Sequence, residues 1–293
     1  MLNDRFLCCG KPIAVVSMDN CSHNGEKLRE SILTIAKKWR ENRFVSEGFL
    51  YWLQDEENVS FPWSMIDKIT PRPDASVENI LKNRVVMVTG GAGSIGSEIV
   101  RQVASFSPQA IILVEIAESP LHDLTVDLRR KYPNLLFVPI IADVRDEKMI
   151  EEVFATYRPS VVFHAAAYKH VPLMEDFPTQ AVIANVLGTK NVADMAIKYK
   201  ADRFVMVSTD KAVNPTNVMG ASKRIAEIYV QSLFLDAQKT NKNCTKFITT
   251  RFGNVLGSNG SVVPFFKKQI AEGGPVTVTH PDIIRYFMTI PEA

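Results

Sequence analysis

Residues 208 to 223 bring together the residue types that acid–base chemistry requires. Thr209 supplies a hydroxyl, Asp210 a carboxyl and Lys211 an amine, and a second lysine, Lys223, follows on a predicted helix. Adjacent residues on a strand point to opposite faces of a sheet. Asp210 and Lys211 can therefore converge only in a loop beyond the preceding strand, and we expect them there. The alternative interpretation is a surface ion pair at the strand end, which the neighbouring Thr209 and Lys223 disfavour.

A glycine-rich turn lies upstream, between a predicted strand and a predicted helix. Its glycines would let the backbone approach a pyrophosphate, and the start of the helix would supply N–H donors. The contact residues expected in the turn are Gly90, Gly93, Ser94, Ile95 and Gly96. Glu115 ends the next predicted strand, 19 residues after Gly96, at the offset of a carboxylate that binds a ribose 2′-hydroxyl. Because a carboxylate there repels a 2′-phosphate, the pattern predicts NAD over NADP. A structural turn with an incidental surface glutamate is the alternative.

Apolar runs and helical patterns alternate from about residue 84 onward, and this alternation predicts the fold. Continuous apolar strands separated by helices indicate a parallel sheet covered on both faces. The fold class is therefore α/β, a Rossmann-type doubly wound sheet. We expect Ser119 to cap one helix, with Pro120 at its first position. Strands are predicted at 84–89, 110–115, 135–140, 160–164, 203–207 and 246–250, and helices at 94–106, from 119, and at 146–157, 180–199 and 217–238.

The first 80 residues follow a different pattern. They contain one predicted strand, at 12–17, two helices, at 24–40 and 46–54, and a proline-rich stretch at 61–74. A single strand cannot form a sheet by itself. The sequence therefore predicts an N-terminal α/β appendage over residues 1–80 and a dinucleotide-binding domain over residues 81–293.

The bulk composition excludes several classes of function. The chain has 293 residues, 46% of them hydrophobic, and a net charge of +2, which is too small a bias to indicate nucleic-acid binding. No apolar run reaches the roughly 18 residues that span a bilayer, and no signal peptide is evident, so a cytoplasmic protein without a membrane segment is expected. The cysteines lack Cys-x-x-Cys spacing, which predicts no metal site; they are Cys8, Cys9, Cys21 and Cys244.

From about residue 84 to residue 293 the chain resembles the extended short-chain dehydrogenase/reductase family, and within it the CapD-type nucleotide-sugar 4,6-dehydratases. The resemblance is carried by the segments 165–175, 208–223, 251–261 and 274–281. It implies an enzyme of the UDP-N-acetylglucosamine class that makes precursors of surface polysaccharides. In that chemistry NAD⁺ takes hydride from C4 of the sugar, water is lost across C5 and C6, and the hydride returns to C6.

The resemblance also implies roles for individual residues. Asp210 would be the acid for the 6-hydroxyl, Lys211 the base for H5, and Lys223 would hold the nicotinamide ribose. Further cofactor contacts are expected from Asp143 and Val144 at the adenine, and from Ala165 and Ala166. The expected substrate-binding residues are Lys169, Asn185, Arg251, Asn254, Ser258, Asn259 and Arg285, for the last of which a surface ion pair is an equal alternative. The histidines His164 and His170 are expected to be structural.

One position departs from the wider family. Met219 stands four residues before Lys223, where most members have the tyrosine that takes the proton of the 4-hydroxyl. CapD-type dehydratases also carry methionine there. A thioether is too weak an acceptor for this proton. We therefore expect Thr209 to accept it and to pass it on through Lys223 or water.

Two rival functions stay open at this point. A UDP-sugar 4-epimerase would share the fold, but it normally needs the tyrosine that Met219 replaces. The other rival is a truncated, catalytically silent NAD-binding protein, because the chain is expected to be incomplete at its C-terminus relative to the family. A homo-oligomer is expected if the protein is complete. Residues about 10–78 resemble a fragment of the mannitol dehydrogenase/hexuronate reductase family, which suggests a fusion.

Overall fold

The computed structural model describes residues 2–15, 24–61, 75–239, 245–257, 262–278 and 287–289. They form two compact units, one N-terminal and one whose main body begins with helix α4, Ala75–Leu81. Leu81 is buried in the core of the second unit. That helix therefore belongs to the dinucleotide-binding unit and not to the appendage.

The N-terminal unit is built around a small apolar core. Its elements are helix α1 (Leu2–Cys8), strand β1 (Ile13–Ala14), helix α2 (Asn24–Glu41), helix α3 (Glu47–Gln54) and strand β2 (Val59–Ser60). Ser46 caps α3 by accepting a hydrogen bond from the amide of Phe49 at 3.2 Å. The expectation of a single strand was wrong, because β2 pairs with β1 in parallel and Ile13 lies opposite Val59. Residues 16 and 17 of the predicted strand lie outside the described residues.

The second unit contains a six-stranded parallel sheet, which confirms the Rossmann-type doubly wound fold. The strand order is β5-β4-β3-β6-β7-β8. The strands are β3 (Val85–Thr89), β4 (Ala110–Glu115), β5 (Leu136–Ile141), β6 (Val161–His164), β7 (Arg203–Thr209) and β8 (Lys246–Phe252), and the two-residue strand β9 (Asn254–Val255) follows them. A further two-residue strand, β10 (Phe287–Met288), is assigned to the first unit.

Helices cover both faces of this sheet, because alternate residues of each strand point to opposite faces. On one face Met87 lies in a core with Phe154 and Val192, and on the other Val86 lies in a core with Val100. The remaining helices are α5 (Ser94–Ala104), α6 (Glu118–Lys131), α7 (Glu147–Tyr157), α8 (Val171–Asp176), α9 (Pro178–Ala181), α10 (Gly188–Lys198), α11 (Val218–Lys239) and α12 (Val262–Ala271), with a π-helical turn at Val182–Leu187 and a 3₁₀ turn at Asp210–Ala212. Of the helices described, none is long and apolar enough to cross a membrane.

The cap predicted for α6 was wrong. The helix begins at Glu118, its cap residue is Ala117, and no side chain caps it. The hydroxyl of Ser119 instead donates to Glu118 at 3.1 Å. The carboxylate of Glu115 accepts from the amides of Ile116 and Ala117 ahead of the helix. The carboxylate of Glu115, at the end of the preceding strand, therefore lies close to the position that a capping side chain of α6 would occupy.

Candidate active site

The glycine-rich turn joins β3 to α5 and leaves no space for side chains. Gly90 has a φ of +65°, and a Cβ there would lie 2.6 Å from the backbone nitrogen of Ala166. A Cβ on Gly96 would overlap the carbonyl oxygen of Gly90. Gly93 is the cap residue of α5 and offers no side chain to the helix N-terminus. The turn thus presents bare backbone and the positive end of the helix dipole, an arrangement that suits a pyrophosphate.

A cavity of about 260 Å³ opens beside this turn. The loop that follows β5 forms part of its wall. The predicted cofactor residues that line the cavity are Gly90, Gly93, Glu115, Asp143, Val144, Ala165 and Ala166. Ser94, Ile95 and Gly96 form the first turn of α5 instead.

Glu115 is held in place by backbone amides. Its Oε2 accepts from Ala92 at 3.2 Å, and its Oε1 accepts from Ile116 at 2.9 Å and Ala117 at 3.2 Å. A carboxylate fixed at this strand end can accept hydrogen bonds from ribose hydroxyls, and it would repel a 2′-phosphate. The residues of the cavity therefore fit a dinucleotide that carries no 2′-phosphate.

The three residues expected to do acid–base chemistry converge where β7 ends. Thr209 is the last residue of the strand, and Asp210 and Lys211 lie in the 3₁₀ turn that follows. The hydroxyl of Thr209 donates to Oδ1 of Asp210 at 2.8 Å, and Nζ of Lys211 donates to the same oxygen at 3.0 Å. The amide of Lys211 donates to Thr209 Oγ1 at 3.3 Å. Asp210 and Lys211 thus meet beyond the strand, as the sequence predicts.

The electrostatics of Asp210 differ from the expectation. Burial alone would raise the pKa of its carboxyl, but the hydrogen bonds from Lys211 and Thr209 outweigh burial and lower that pKa below its ordinary value. A resting general acid needs a shift in the other direction. Asp210 is therefore an ionised acceptor in this structure and must gain a proton before it can donate one.

Lys223 is buried next to this cluster, with 6% of its surface exposed. Its Nζ donates to the carbonyl of Val207 at 3.1 Å. Burial lowers the pKa of Lys223 to about 8, although the carboxylate of Glu227 opposes the shift. The hydroxyl of Thr209 donates to Asp210 and not to Lys223.

Helix α11 packs closely against the catalytic turn. A Cβ on Gly220 would overlap the carbonyl oxygen of Lys211. One residue earlier, Met219 is buried in an apolar cluster that includes Met174 and Ala181. The position that carries tyrosine in the wider family is therefore apolar here, and its neighbour Gly220 allows the helix to approach the turn.

His164 is fully buried and has a structural role, as expected. Its Nδ1 lies 2.7 Å from Oγ1 of Thr89, and its Nε2 lies 2.9 Å from Oγ1 of Thr189. Thr189 gives its hydrogen to the carbonyl of Asn185 at 2.6 Å, so it accepts from Nε2–H, and Thr89 donates to Nδ1. Burial and, to a smaller extent, the charge of Lys223 lower the pKa of His164 to about 3, so the imidazole is neutral.

Five of the seven predicted substrate-binding residues fall into three groups. Asn254 joins the catalytic cluster, because its Oδ1 accepts from Nζ of Lys211 at 3.3 Å. Lys169 lines a second cavity of about 290 Å³ with Leu173 and Phe177, and loss of hydration lowers the pKa of its amine. Ser258, Asn259 and Arg285 lie outside the described residues.

The structure corrects the role expected of Asn185. This side chain is fully buried in the π-helical turn. It accepts from the amide of Tyr168 at 2.8 Å, and it donates to the carbonyl of Tyr168 at 3.0 Å and to Ser222 at 2.9 Å. Because both of its polar atoms are engaged in the interior, we propose that Asn185 positions the Tyr168 loop and does not contact substrate.

Arg251 also differs from the expectation. Its Nε donates to Oε1 of Glu227 at 2.9 Å and its Nη2 to Oε2 at 2.6 Å. The paired donors that suit a diphosphate are therefore engaged by a buried carboxylate. Sequence reasoning missed Glu227, although its position four residues after Lys223 on one helix is a signal of a side-chain pair.

Comparison with known proteins gives the family. A family model described as polysaccharide biosynthesis protein matches residues 86–293. The chain is 56% identical over 220 residues to the capsular polysaccharide biosynthesis protein CapD of Staphylococcus aureus, covering 75% of this chain and 36% of that protein. It is 39% identical over 212 residues to a UDP-glucose 4-epimerase of Rickettsia canadensis, covering 71% of this chain and 60% of that protein. The chain thus spans about a third of the CapD relative and less than two thirds of the epimerase.

A solved structure agrees with the fold. The X-ray structure of Pen from Bacillus thuringiensis superposes with a TM-score of 0.67 at 35% identity, covering 73% of this chain and 66% of that chain. The resemblance of residues 10–78 to a mannitol dehydrogenase fragment finds no support in these matches, and the family model begins at residue 86. The chain therefore belongs to the polysaccharide biosynthesis protein family and has the Rossmann-type fold of the short-chain dehydrogenases/reductases.

Proposed function

We propose that this chain is the catalytic domain of an NAD-dependent nucleotide-sugar 4,6-dehydratase that acts on a substrate of the UDP-N-acetylglucosamine class for polysaccharide precursor synthesis. The observation that carries the proposal is the meeting of Thr209, Asp210 and Lys211 at one carboxylate oxygen. An elimination needs an acid and a base close together, whereas a simple epimerisation at C4 needs neither at C5 and C6. The match to the capsular polysaccharide biosynthesis protein CapD supports the part of the proposal that concerns polysaccharide synthesis.

NAD is the cofactor, and the cavity beside the glycine-rich turn would hold its dinucleotide. When bound, NAD would supply the group that accepts hydride from C4 of the sugar and gives it back at C6. Gly90 and Gly93 allow the backbone to approach the pyrophosphate, and Glu115 accepts hydrogen bonds from the adenosine ribose. We infer that Lys223, which is buried and donates to the carbonyl of Val207, holds the nicotinamide ribose.

Thr209 begins the proton transfers. Its Oγ1 takes the proton of the sugar 4-hydroxyl and passes its own hydrogen to Oδ1 of Asp210, which it already contacts at 2.8 Å. This route needs no residue at the position of Met219. It also explains how a carboxyl with a lowered pKa becomes the acid that the next step requires.

Asp210 and Lys211 then divide the elimination between them. The protonated Asp210 gives its proton to the departing 6-hydroxyl, which leaves as water. Lys211 first releases its ammonium proton to solvent, then removes H5, and it returns that proton to C5 when hydride adds to C6. The proton of the 4-hydroxyl thus ends in the water, and both residues return to their starting states once Lys211 regains a proton from solvent. Asn254 orients Lys211 through the 3.3 Å hydrogen bond.

A 4-epimerase is the second candidate, and the Rickettsia relative supports it. Position 219 gives an epimerase no proton acceptor, because Met219 is buried among apolar side chains. A silent NAD-binding protein is the third candidate. A cytoplasmic location and a homo-oligomeric state stay predictions.

Mass spectrometry of UDP-N-acetylglucosamine after incubation with the purified chain tests the proposal. We expect the sugar nucleotide to lose one water, and a Lys211→Met variant to abolish the loss. An unchanged mass with inverted configuration at C4, seen by NMR, would establish the epimerase instead. An unchanged substrate with bound NAD would establish the silent protein.

A further inference from the structure

The loop after β5, which lines the dinucleotide cavity, contains an ion pair that the proposed chemistry does not use. Asp143 follows β5 and accepts from Arg145 on both oxygens. Oδ1 accepts from the amide of Arg145 at 2.9 Å, and Oδ2 accepts from its Nε at 2.7 Å and lies 2.5 Å from its Nη2. The hydrogen bond from the Arg145 side chain lowers the pKa of Asp143, so the carboxylate stays ionised and offers only acceptors.

Helix α10 holds this segment rigidly. Asn191 donates through Nδ2 to the carbonyls of Val144 at 3.0 Å and Arg145 at 3.1 Å. A Cβ on Gly188 would come within 2.8 Å of a methyl group of Val144. The backbone next to Asp143 is therefore held by helix α10.

Arg145 is also held on its outer side. Its Nη1 donates to Oε1 of Gln180 in α9 at 3.1 Å. The guanidinium is thus fastened between a carboxylate and an amide, and its positive charge is neutralised by Asp143. It is a poor partner for a ligand phosphate and a good support for the orientation of Asp143.

We propose that Arg145 is a positioning residue that makes the cavity selective for a purine with a 6-amino group. The inference rests on the proposed binding of NAD. Oδ1 of Asp143, which accepts only from the amide of Arg145, retains capacity to accept a further hydrogen bond, and Asp143, Val144 and Arg145 all line the cavity. A 6-amino group can donate to a fixed carboxylate, whereas the 6-oxo group of hypoxanthine would face it as a second acceptor and be repelled.

Isothermal titration of the full chain with NAD and with nicotinamide hypoxanthine dinucleotide tests this proposal. The wild type is expected to prefer NAD by about tenfold to a hundredfold, the range for a hydrogen bond to a charged group. Arg145→Met should reduce this preference to about threefold or less, chiefly by lowering the affinity for NAD. Gln180→Ala removes only the outer hydrogen bond and should lower the preference less. Arg130→Met, which removes an exposed pair with Asp127 on α6, is the matched control and should change nothing.

The possible outcomes separate the two proposals. A wild type that binds neither dinucleotide overturns NAD binding and this inference together. A wild type that binds both equally overturns the inference alone. Equal weakening of both dinucleotides in Arg145→Met, with the preference intact, would show that Arg145 supports only the fold. If that variant does not fold, the preference of Gln180→Ala decides, and an unchanged preference there overturns the proposal.

Discussion

Arg251 on β8 holds the buried carboxylate of Glu227 on α11 through two parallel hydrogen bonds, at 2.9 and 2.6 Å. Glu227 is only 3% exposed and has a second cationic partner, Arg224, at 3.0 Å. This pair ties the strand next to the catalytic turn to the helix that carries Lys223. Loss of this pair should therefore lower the stability of the fold more than it lowers turnover.

Arg251→Met is expected to lower the free energy of unfolding by about 1–3 kcal/mol, because it leaves a buried carboxylate with fewer partners. The value lies below that of a fully buried pair because Arg251 is itself 40% exposed. Urea denaturation followed by circular dichroism measures the change. Removing the carboxylate as well, in Arg251→Met with Glu227→Met, should recover part of the loss. A single variant as stable as the wild type would show that Arg224 alone suffices.

Gly220→Ala should reduce turnover about a hundredfold, the cost of a displacement on the order of 1 Å at a catalytic group. The added methyl group would overlap the carbonyl of Lys211 and push the catalytic turn away from α11. Steady-state kinetics with UDP-N-acetylglucosamine measures the loss, and NAD binding should be retained. Gly48→Ala makes the same change where the nearest atom, on Phe6, lies 3.5 Å from the new Cβ, and it should leave turnover intact. Full activity in Gly220→Ala would contradict the close packing.

Thr209→Val should slow hydride transfer from the sugar by about a hundredfold or more, the usual contribution of a proton-transfer group. Single-turnover absorbance of the reduced nicotinamide measures this step directly. Thr209→Ser keeps the hydroxyl and should retain most of the rate. Lys211→Met should still form the reduced nicotinamide but release no water. Rapid reduction in Thr209→Val would rule out the hydroxyl as the acceptor of the 4-hydroxyl proton.

His164 makes stability depend on pH. In the unfolded chain its imidazole takes up a proton below its ordinary pKa of 6.5, whereas in the folded protein its pKa is about 3. Acidification therefore favours the unfolded state, and stability is lost as pH falls from about 6.5 toward 3, at up to about 1.4 kcal/mol per pH unit. Denaturation curves at several pH values, compared with those of His164→Asn, measure the slope. The two proteins should diverge only below about pH 6.5, and parallel curves would contradict the assignment.

The features that could be predicted from sequence are those that depend on local chemistry. Glycine spacing, strand length and the position of the carboxylate at Glu115 each depend on a short stretch of backbone. The position of Asp210 and Lys211 beyond a strand follows from strand geometry alone. The doubly wound sheet follows from alternating apolar runs.

The features that could not be predicted depend on contacts between distant segments. Asn185 and Arg251 have the polar groups of substrate-binding residues, and only the fold shows that Tyr168 and Glu227 already use them. Polar residues that suit a ligand equally suit a buried partner, and one sequence does not distinguish the two. The lowered pKa of Asp210 is of the same kind, because it results from a balance between burial and two hydrogen bonds.

The π-helical turn at Val182–Leu187 determines which residues of the following helix, α10, contact the neighbouring elements. A wide turn accommodates one residue more than an α-helical path of the same length. Deleting a single residue there would rotate everything that follows by about 100°. Thr189 would swing away from His164 and Asn191 away from Val144, two contacts that the present register makes. The surplus residue thus sets the phase of one helix against the end of β6 and the loop after β5, and its loss would disturb the buried imidazole and the cavity-lining Val144 together.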